Sequence, residues 1–100
     1  MMNTACSQRA MEPYGRAGLT MYMAFQIKQI KEMAWYMGEL YGREVSIGEA
    51  QKVFDQRGLH DKFRKAWERN QVRIDELYIT GELEEILKDQ DNDRMHQMLQ

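Results

Sequence analysis

The sequence predicts an all-α protein, a small bundle of three to four helices around one long central helix. Apolar residues recur every three or four positions through most of the chain, which is the spacing of one face of an α-helix. Glycines interrupt this pattern where helices would end, and no run of alternating β-branched residues indicates a strand. A chain of 100 residues with 30% charged residues is expected to form one domain with a modest core.

The central helix is predicted over residues 19–41. Six apolar residues recur at alternating steps of four and three, and Leu19 joins the same stripe: Met23, Ile27, Ile30, Ala34, Met37 and Tyr41. The stripe is widened by Tyr22, Met33 and Leu40. Because so broad an apolar face is unfavourable in water, we expect the other segments or a second copy of the chain to cover it.

The second helix is predicted over residues 47–57. Ser46 and Glu49 have the spacing of a capping box, in which each side chain accepts a hydrogen bond from the other residue's backbone. Val45 and Ala50 can form a small hydrophobic staple across the same helix start. The helix is expected to end at Gly58.

The third helix is predicted over residues 60–79, and a shorter fourth helix begins near Glu82. The third helix has one wide stripe: Leu59, Phe63, Ala66, Trp67, Asn70, Ile74, Leu77 and Tyr78. Asn70 in this stripe is either a buried residue that fixes helix register or a residue at the stripe's edge. The fourth helix and a last apolar turn are predicted to bury the following residues: Leu83, Ile86, Leu87, Met95, Met98 and Leu99.

The predicted domain organisation is an irregular N-terminal arm over residues 1–18 and a single helical domain over residues 19–100. Pro13 and two glycines break any helix in the arm, which Tyr14 can anchor. The single cysteine, Cys6, cannot form an internal disulfide, which suits a reducing compartment. Since there is neither a secretory pattern nor a membrane-length apolar run, we predict a cytoplasmic protein without membrane contact.

No catalytic, cofactor-binding or metal-binding residue is predicted. The two histidines, His60 and His96, lie in different segments and have no partner at metal-ligand spacing. Aspartates at positions 89, 91 and 93 alternate as in an EF-hand, but Arg94 stands where that loop requires glycine and Gln100 where it requires glutamate. We therefore expect a protein that is not an enzyme.

Charge divides the chain into a basic middle and an acidic last quarter. Residues 43–73 contain eight Lys or Arg and five Asp or Glu, a net charge of +3, whereas residues 74–93 contain eight Asp or Glu and one Lys, a net charge of −7. Candidate partner-binding residues come from both parts: Lys62, Lys65, Arg69 and Arg73 along the third helix, and Glu82, Glu85 and Asp89 in the acidic segment. Solvated helix faces are the alternative explanation of both sets.

Methionine and tryptophan indicate further contact surfaces. Four of the nine methionines lie in the first helix, which makes a homodimer through this helix possible: Met21, Met23, Met33 and Met37. Trp35 projects away from the main stripe. It is a partner-binding residue if it is exposed and a structural residue if the N-terminal arm covers it.

In size, helicity, divided charge and lack of a catalytic motif, the chain resembles the small inhibitors carried by phages and other mobile elements, such as anti-CRISPR proteins. This resemblance implies a host nucleoprotein complex as partner, bound through charged helix faces so that its nucleic-acid binding is blocked. One alternative is a helix-turn-helix DNA-binding regulator, with the third helix as recognition helix. A further alternative is an accessory or assembly subunit of an enzyme.

Overall fold

A computed structural model describes residues 14–100, which fold into six α-helices without any strand. In chain order the helices are α1 Gly18–Tyr41, α2 Ile47–Gln56, α3 Leu59–Arg69, α4 Gln71–Thr80, α5 Glu82–Lys88 and α6 Asp93–Met98. The predicted all-α class is confirmed. The predicted bundle of three to four helices around one central helix is not confirmed, because the described residues form six helices.

Asn70 divides the predicted third helix into α3 and α4. Its side-chain Nδ2 donates to the Ala66 carbonyl at 2.9 Å, and its backbone N–H is shared between the carbonyls of Ala66 and Trp67, both at 3.2 Å. An asparagine side chain that bonds the preceding turn in this way competes with the helical ladder. Asn70 is half-buried and lies at the break between the two helices.

The alternating aspartates form the loop between α5 and α6. The backbone N–H of Asp91 donates to Asp89 Oδ1 at 3.3 Å, and the N–H of Asp93 donates to Asp91 Oδ1 at 2.9 Å. Two successive turns of this kind, each stabilised by an aspartate side chain, lead into α6. The alternating aspartates, whose spacing resembles the start of an EF-hand loop, therefore stabilise the backbone turns between α5 and α6.

The start of α2 confirms half of the predicted capping box. The N–H of Glu49 donates to Ser46 Oγ at 3.1 Å. The Glu49 carboxylate, however, accepts hydrogen bonds from Arg43 at 3.1 and 2.6 Å, and those bonds lower the pKa of Glu49. The predicted staple residues, Val45 and Ala50, are both buried.

The C-terminal half of α1 follows the predicted stripe as far as Met37. Ile30, Ala34 and Met37 are buried, and α2 packs against α1. The chain turns back after Gly42, which is left-handed at φ 69° and donates to the Gly38 carbonyl at 2.9 Å. A Cβ on Gly38 would lie 3.0 Å from the carbonyl oxygen of residue 43, so glycine permits this close return.

The N-terminal half of α1 buries a different face. Tyr22 and Phe25 are buried beside Trp67, with ring centroids 5.4 and 5.9 Å from the indole. The predicted stripe is wrong for Leu19, Met23, Ile27 and Tyr41, which are 52%, 49%, 45% and 51% exposed. Because each helical residue turns by about 100°, the buried face here lies roughly a third of a turn from the predicted stripe.

Trp67 lies at the centre of the core and is fully buried. Phe63 lies 6.0 Å from it between ring centroids, and the indole Nε1 donates to the Tyr14 carbonyl at 3.3 Å. The Tyr14 ring in turn lies 4.4 Å from the Tyr22 ring between centroids. Tyr14 thus contacts the core through its carbonyl and its ring, while the rest of the predicted arm, residues 1–13 with Cys6, lies outside the described residues.

The turn before α1 packs against α4. The backbone N–H of Arg16 donates to Asp75 Oδ1 at 2.9 Å. Gly15 has φ +69°, and a Cβ there would lie only 2.5 Å from Asp75 Oδ1, so two constraints select glycine. This contact fixes α4 at the N-terminal end of α1.

The last two helices close the core as the sequence predicts. Five of the predicted apolar residues are buried: Leu83, Ile86, Met95, Met98 and Leu99. In the part of the chain that the structure describes, no helix is both long enough and apolar enough to cross a membrane.

Candidate protein-binding groove

An open groove of about 760 Å³ lies beside the C-terminal half of α1, bordered by α2, α3 and α6. Its apolar lining includes Met33, Met37, Phe54, Leu59, Phe63 and Leu99. Two further apolar side chains border it and are largely exposed, Tyr36 at 60% and Leu40 at 80%. The groove lies on the same face of α1 that packs against α3 in the N-terminal half of the helix. It is therefore the part of this packing face that remains uncovered.

Four cationic residues border this groove: Arg57, Lys62, Lys65 and Arg69. Lys65 Nζ lies 3.2 Å from Asp61 Oδ2, and the Arg69 guanidinium donates to the Leu99 carbonyl at 3.4 Å. Within residues 14–100, neither Arg57 nor Lys62 forms an ion pair. The groove therefore has an apolar floor, a basic rim and two cations available to a partner.

The structure brings together three of the four basic residues that the sequence singles out. Lys62, Lys65 and Arg69 share the groove, whereas Arg73 lies on α4, beyond the break at Asn70. Arg57 was missed by the sequence analysis because it follows α2 rather than belonging to the third-helix stripe. Its proximity to the other cations depends on how α2 packs against α3.

Glu32 and His96 form a polar contact at the groove that the sequence analysis also missed. Glu32 Oε2 lies 2.8 Å from His96 Nε2, and only 13% of the glutamate side chain is exposed. The two residues are 64 positions apart, so no local pattern connects them. Among the residues that border the groove in the described chain there is no Ser, Thr or Cys. The evident effect of the Glu32–His96 contact is to join α6 to α1.

The remaining candidate residues lie at other surfaces. Trp35 is 61% exposed, packs edge-on against Tyr36 with ring centroids 5.0 Å apart, and borders a second hollow of about 500 Å³ together with Asp89. Glu82 and Glu85 are exposed on α5 and border neither hollow. The structure thus separates the acidic candidates from the basic groove instead of forming one mixed surface.

The outer face of α3 has carboxylates among its cations. Arg64 pairs with Asp61, and its other terminal nitrogen lies 3.6 Å from Glu68 Oε1. Hydrogen bonds from Arg64, and secondly from Lys65, lower the pKa of Asp61, so this carboxylate is ionised at neutral pH. Two carboxylates among these cations reduce the attraction of α3 for DNA phosphates, which weighs against the helix-turn-helix alternative.

Comparison with known proteins finds no matching family model, no similar curated protein and no similar solved structure. Across residues 14–100, no group of three or more His, Cys, Asp or Glu is placed to hold a metal ion. The chemistry of the groove indicates which class of ligand it can bind. An apolar floor with a positive rim favours a ligand that is apolar on one side and negatively charged at its flanks.

Proposed function

We propose that this protein is a non-enzymatic protein-binding module whose groove receives an amphipathic helix with acidic flanks from its partner. The observation that carries this proposal is the combination of an open apolar floor with Arg57 and Lys62 on its rim. Helix-in-groove binding uses apolar side chains at one helix face as anchors, and charges at the edges select the partner.

The floor is suited to such anchors. Met33 and Met37 are flexible side chains that adapt their shape to different apolar partners. Tyr36 and Leu40 are exposed in the free protein and would be covered by a helix in the groove. Each 100 Å² of apolar surface that is removed from water contributes roughly 2.5 kcal/mol before the cost of association.

The rim provides selectivity for charge. Glutamates or aspartates at the edges of the bound helix would lie near Arg57 and Lys62, while a basic helix would be repelled. Exposed ion pairs of this kind weaken with salt, since the screening length is about 10 Å at 0.1 M ionic strength. Partner binding should therefore weaken moderately, and not vanish, as salt rises.

The most concrete form of the proposal is an inhibitor of the kind carried by phages or mobile elements. Its partner would be a host nucleoprotein complex, as in anti-CRISPR proteins, and its binding would block nucleic-acid binding by that complex. The support for this step is general: a small helical chain, no catalytic constellation in the described residues, and a divided charge. The acidic residues Glu82 and Glu85 lie outside the groove and can face a basic nucleic-acid channel while the groove holds the complex.

The test is capture of a partner from a bacterial lysate, identification by mass spectrometry, and reconstitution with purified components. The double variant Arg57→Glu/Lys62→Glu should weaken binding at least about tenfold by reversing the rim charge. Lys52→Glu is the matched control, because Lys52 is exposed on α2 without bordering the groove. In the inhibitor form, the reconstituted complex also loses its affinity for nucleic acid.

Two results would contradict the proposal. One is equal binding of the partner by the wild-type protein and by the double variant. The other is tight, salt-sensitive binding to one DNA site without any protein partner, which would favour a DNA-binding regulator.

A further inference from the structure

We infer that a second copy of this chain can occupy the groove, using the exposed outer face of α4. The inference rests on the proposed function, because it treats the groove as a helix-binding surface, and it names one helix that fits. The consequence is a homodimer in which partner binding and self-association compete for the same groove.

The outer face of α4 forms an apolar ridge with an acidic residue in its middle. Val72 and Ile79 are 76% and 62% exposed, whereas Ile74 on the opposite face is fully buried. Residues seven positions apart lie on the same side of a helix and roughly 10.5 Å apart along its axis. Glu76 lies between them on that side and is also exposed. We call Val72, Glu76 and Ile79 the α4 ridge.

The α4 ridge complements the groove in spacing and charge. Met33 and Leu40 border the groove from α1 and are also seven positions apart, so Val72 and Ile79 of another copy can pack alongside them. Glu76 would then lie near the rim, where Lys62 has no ion-pair partner within the described residues. The helix with this ridge leads into residues 74–93, which have a net charge of −7, whereas the rim of the groove is basic.

The ridge cannot reach the groove of its own chain. The groove borders α1 from Gln29 onward, whereas α4 is held at the other end of α1 by the bond between Arg16 and Asp75. From the middle of the groove to the start of α1 is roughly 27 Å along the helix axis. Two copies arranged antiparallel about a two-fold axis place each ridge in the other copy's groove and close the assembly.

A second apolar surface provides the internal control. Leu19, Met23 and Ile27 form an exposed stripe on α1. The stripe has no charged residue among its three members and therefore no counterpart to the basic rim. If the dimer formed through the N-terminal half of α1 instead, this stripe would be its contact.

Sedimentation equilibrium of the full chain tests which surface is used. The wild-type protein should approach twice the 11.9 kDa mass of one chain as its concentration rises. Ile79→Lys should raise the dimer dissociation constant about 30-fold or more, whereas Met23→Lys should leave it within about twofold. Circular dichroism checks that both variants are folded. A monomer at millimolar concentration, or dissociation by Met23→Lys but not by Ile79→Lys, would overturn the inference.

A charge exchange tests the pairing of Lys62 with Glu76. Lys62→Glu and Glu76→Lys should each weaken the dimer about tenfold, because each places like charges together at both contacts. An equimolar mixture of the two variants should recover the wild-type affinity, since both contacts of the mixed dimer then pair opposite charges. A mixture no tighter than the single variants would contradict the pairing.

An acidic amphipathic peptide, with leucine on one face and glutamate on the other, separates this inference from the proposed function. Ile79→Lys leaves the groove intact, so it should bind the peptide at least as tightly as the wild-type protein. Peptide binding without self-association would reject the dimer and retain the proposed function. Peptide binding that is absent, or indifferent to Lys62→Glu, would reject both.

Discussion

The two halves of α1 bury apolar residues on different faces of the helix. In the N-terminal half, Tyr22 and Phe25 are buried beside Trp67, and the stripe through Met23 and Ile27 is exposed. In the C-terminal half, Ile30, Ala34 and Met37 of that stripe are buried beside α2, and the other face borders the groove. Each half therefore has one covered and one open apolar face, and the covered face changes near the middle of the helix.

This difference explains why a helix with apolar residues on most sides is stable in a small domain. Helix α2 packs most extensively against it, and α3 and α5 also pack on it. The same helix thus has covered and open apolar faces, and the following substitutions test where the covered face ends and the open face begins.

The largest expected effect is that of Ile30→Asp, compared with the same change at Ile27. Ile30 is 3% exposed, so a carboxylate there would be buried without a partner, which costs several kcal/mol and should unfold the domain. Ile27 is 45% exposed, and Ile27→Asp should remain folded with a loss below about 1 kcal/mol. Thermal melts followed by circular dichroism measure both. Equal losses of stability in the two variants would mean that the buried face of α1 does not switch between Ile27 and Ile30.

The next effect separates the two faces of the N-terminal half. Phe25→Ala removes a fully buried ring beside Trp67 and should lower the free energy of unfolding by about 3–5 kcal/mol. Met23→Ala, two positions away on the exposed stripe, should change it by about 0.5 kcal/mol or less. Urea denaturation quantifies the difference. A larger loss of stability in Met23→Ala than in Phe25→Ala would instead support the single buried stripe that the sequence predicts.

A smaller effect concerns the start of α2, which positions the helix that covers the C-terminal half. Ser46→Ala removes the acceptor for the Glu49 N–H and should cost about 0.5–2 kcal/mol. Ser46→Asp is the matched control, since aspartate caps equally well and should retain stability. Loss of stability in Ser46→Asp but not in Ser46→Ala would contradict the capping assignment.

The smallest effect is a pH dependence at the same helix start. The Arg43 hydrogen bonds hold the pKa of Glu49 below its usual range, so this contribution to stability is present above the ordinary glutamate pKa and is lost as the pH falls through the lowered value. Arg43→Gln should therefore lower the Tm slightly at neutral pH, and the difference from wild type should vanish in acid, once the pH lies well below the lowered pKa of Glu49. A difference that persists in acid would point to a contact other than the ion pair.

The sequence predicts the helical class, the cap at Ser46 and the burial of Phe63, Trp67 and Ile74, because these depend on local spacing and side-chain chemistry. It does not predict the break at Asn70, since the same residue fits a helix interior until its amide bonds the preceding turn. Nor does periodicity say which neighbour covers which face of α1.

The candidate site is predictable only in part, for the same reason. Lys62, Lys65 and Arg69 follow one helical spacing and are found together, while Arg57 and the Glu32–His96 contact depend on tertiary packing. The groove itself is an uncovered space between helices. No residue pattern encodes such a space until the positions of α1, α2 and α3 are known.

A titration of the ¹⁵N-labelled protein with the acidic amphipathic peptide, followed by two-dimensional NMR, tests whether the groove beside the C-terminal half of α1 binds such a helix. Binding in the groove should change shifts chiefly at Met33, Leu40, Lys62 and Arg69, and there should be little change when the peptide's glutamates are replaced by lysines. Changes centred on Met23 or Trp35 instead, or no changes with excess peptide, would contradict binding in the groove.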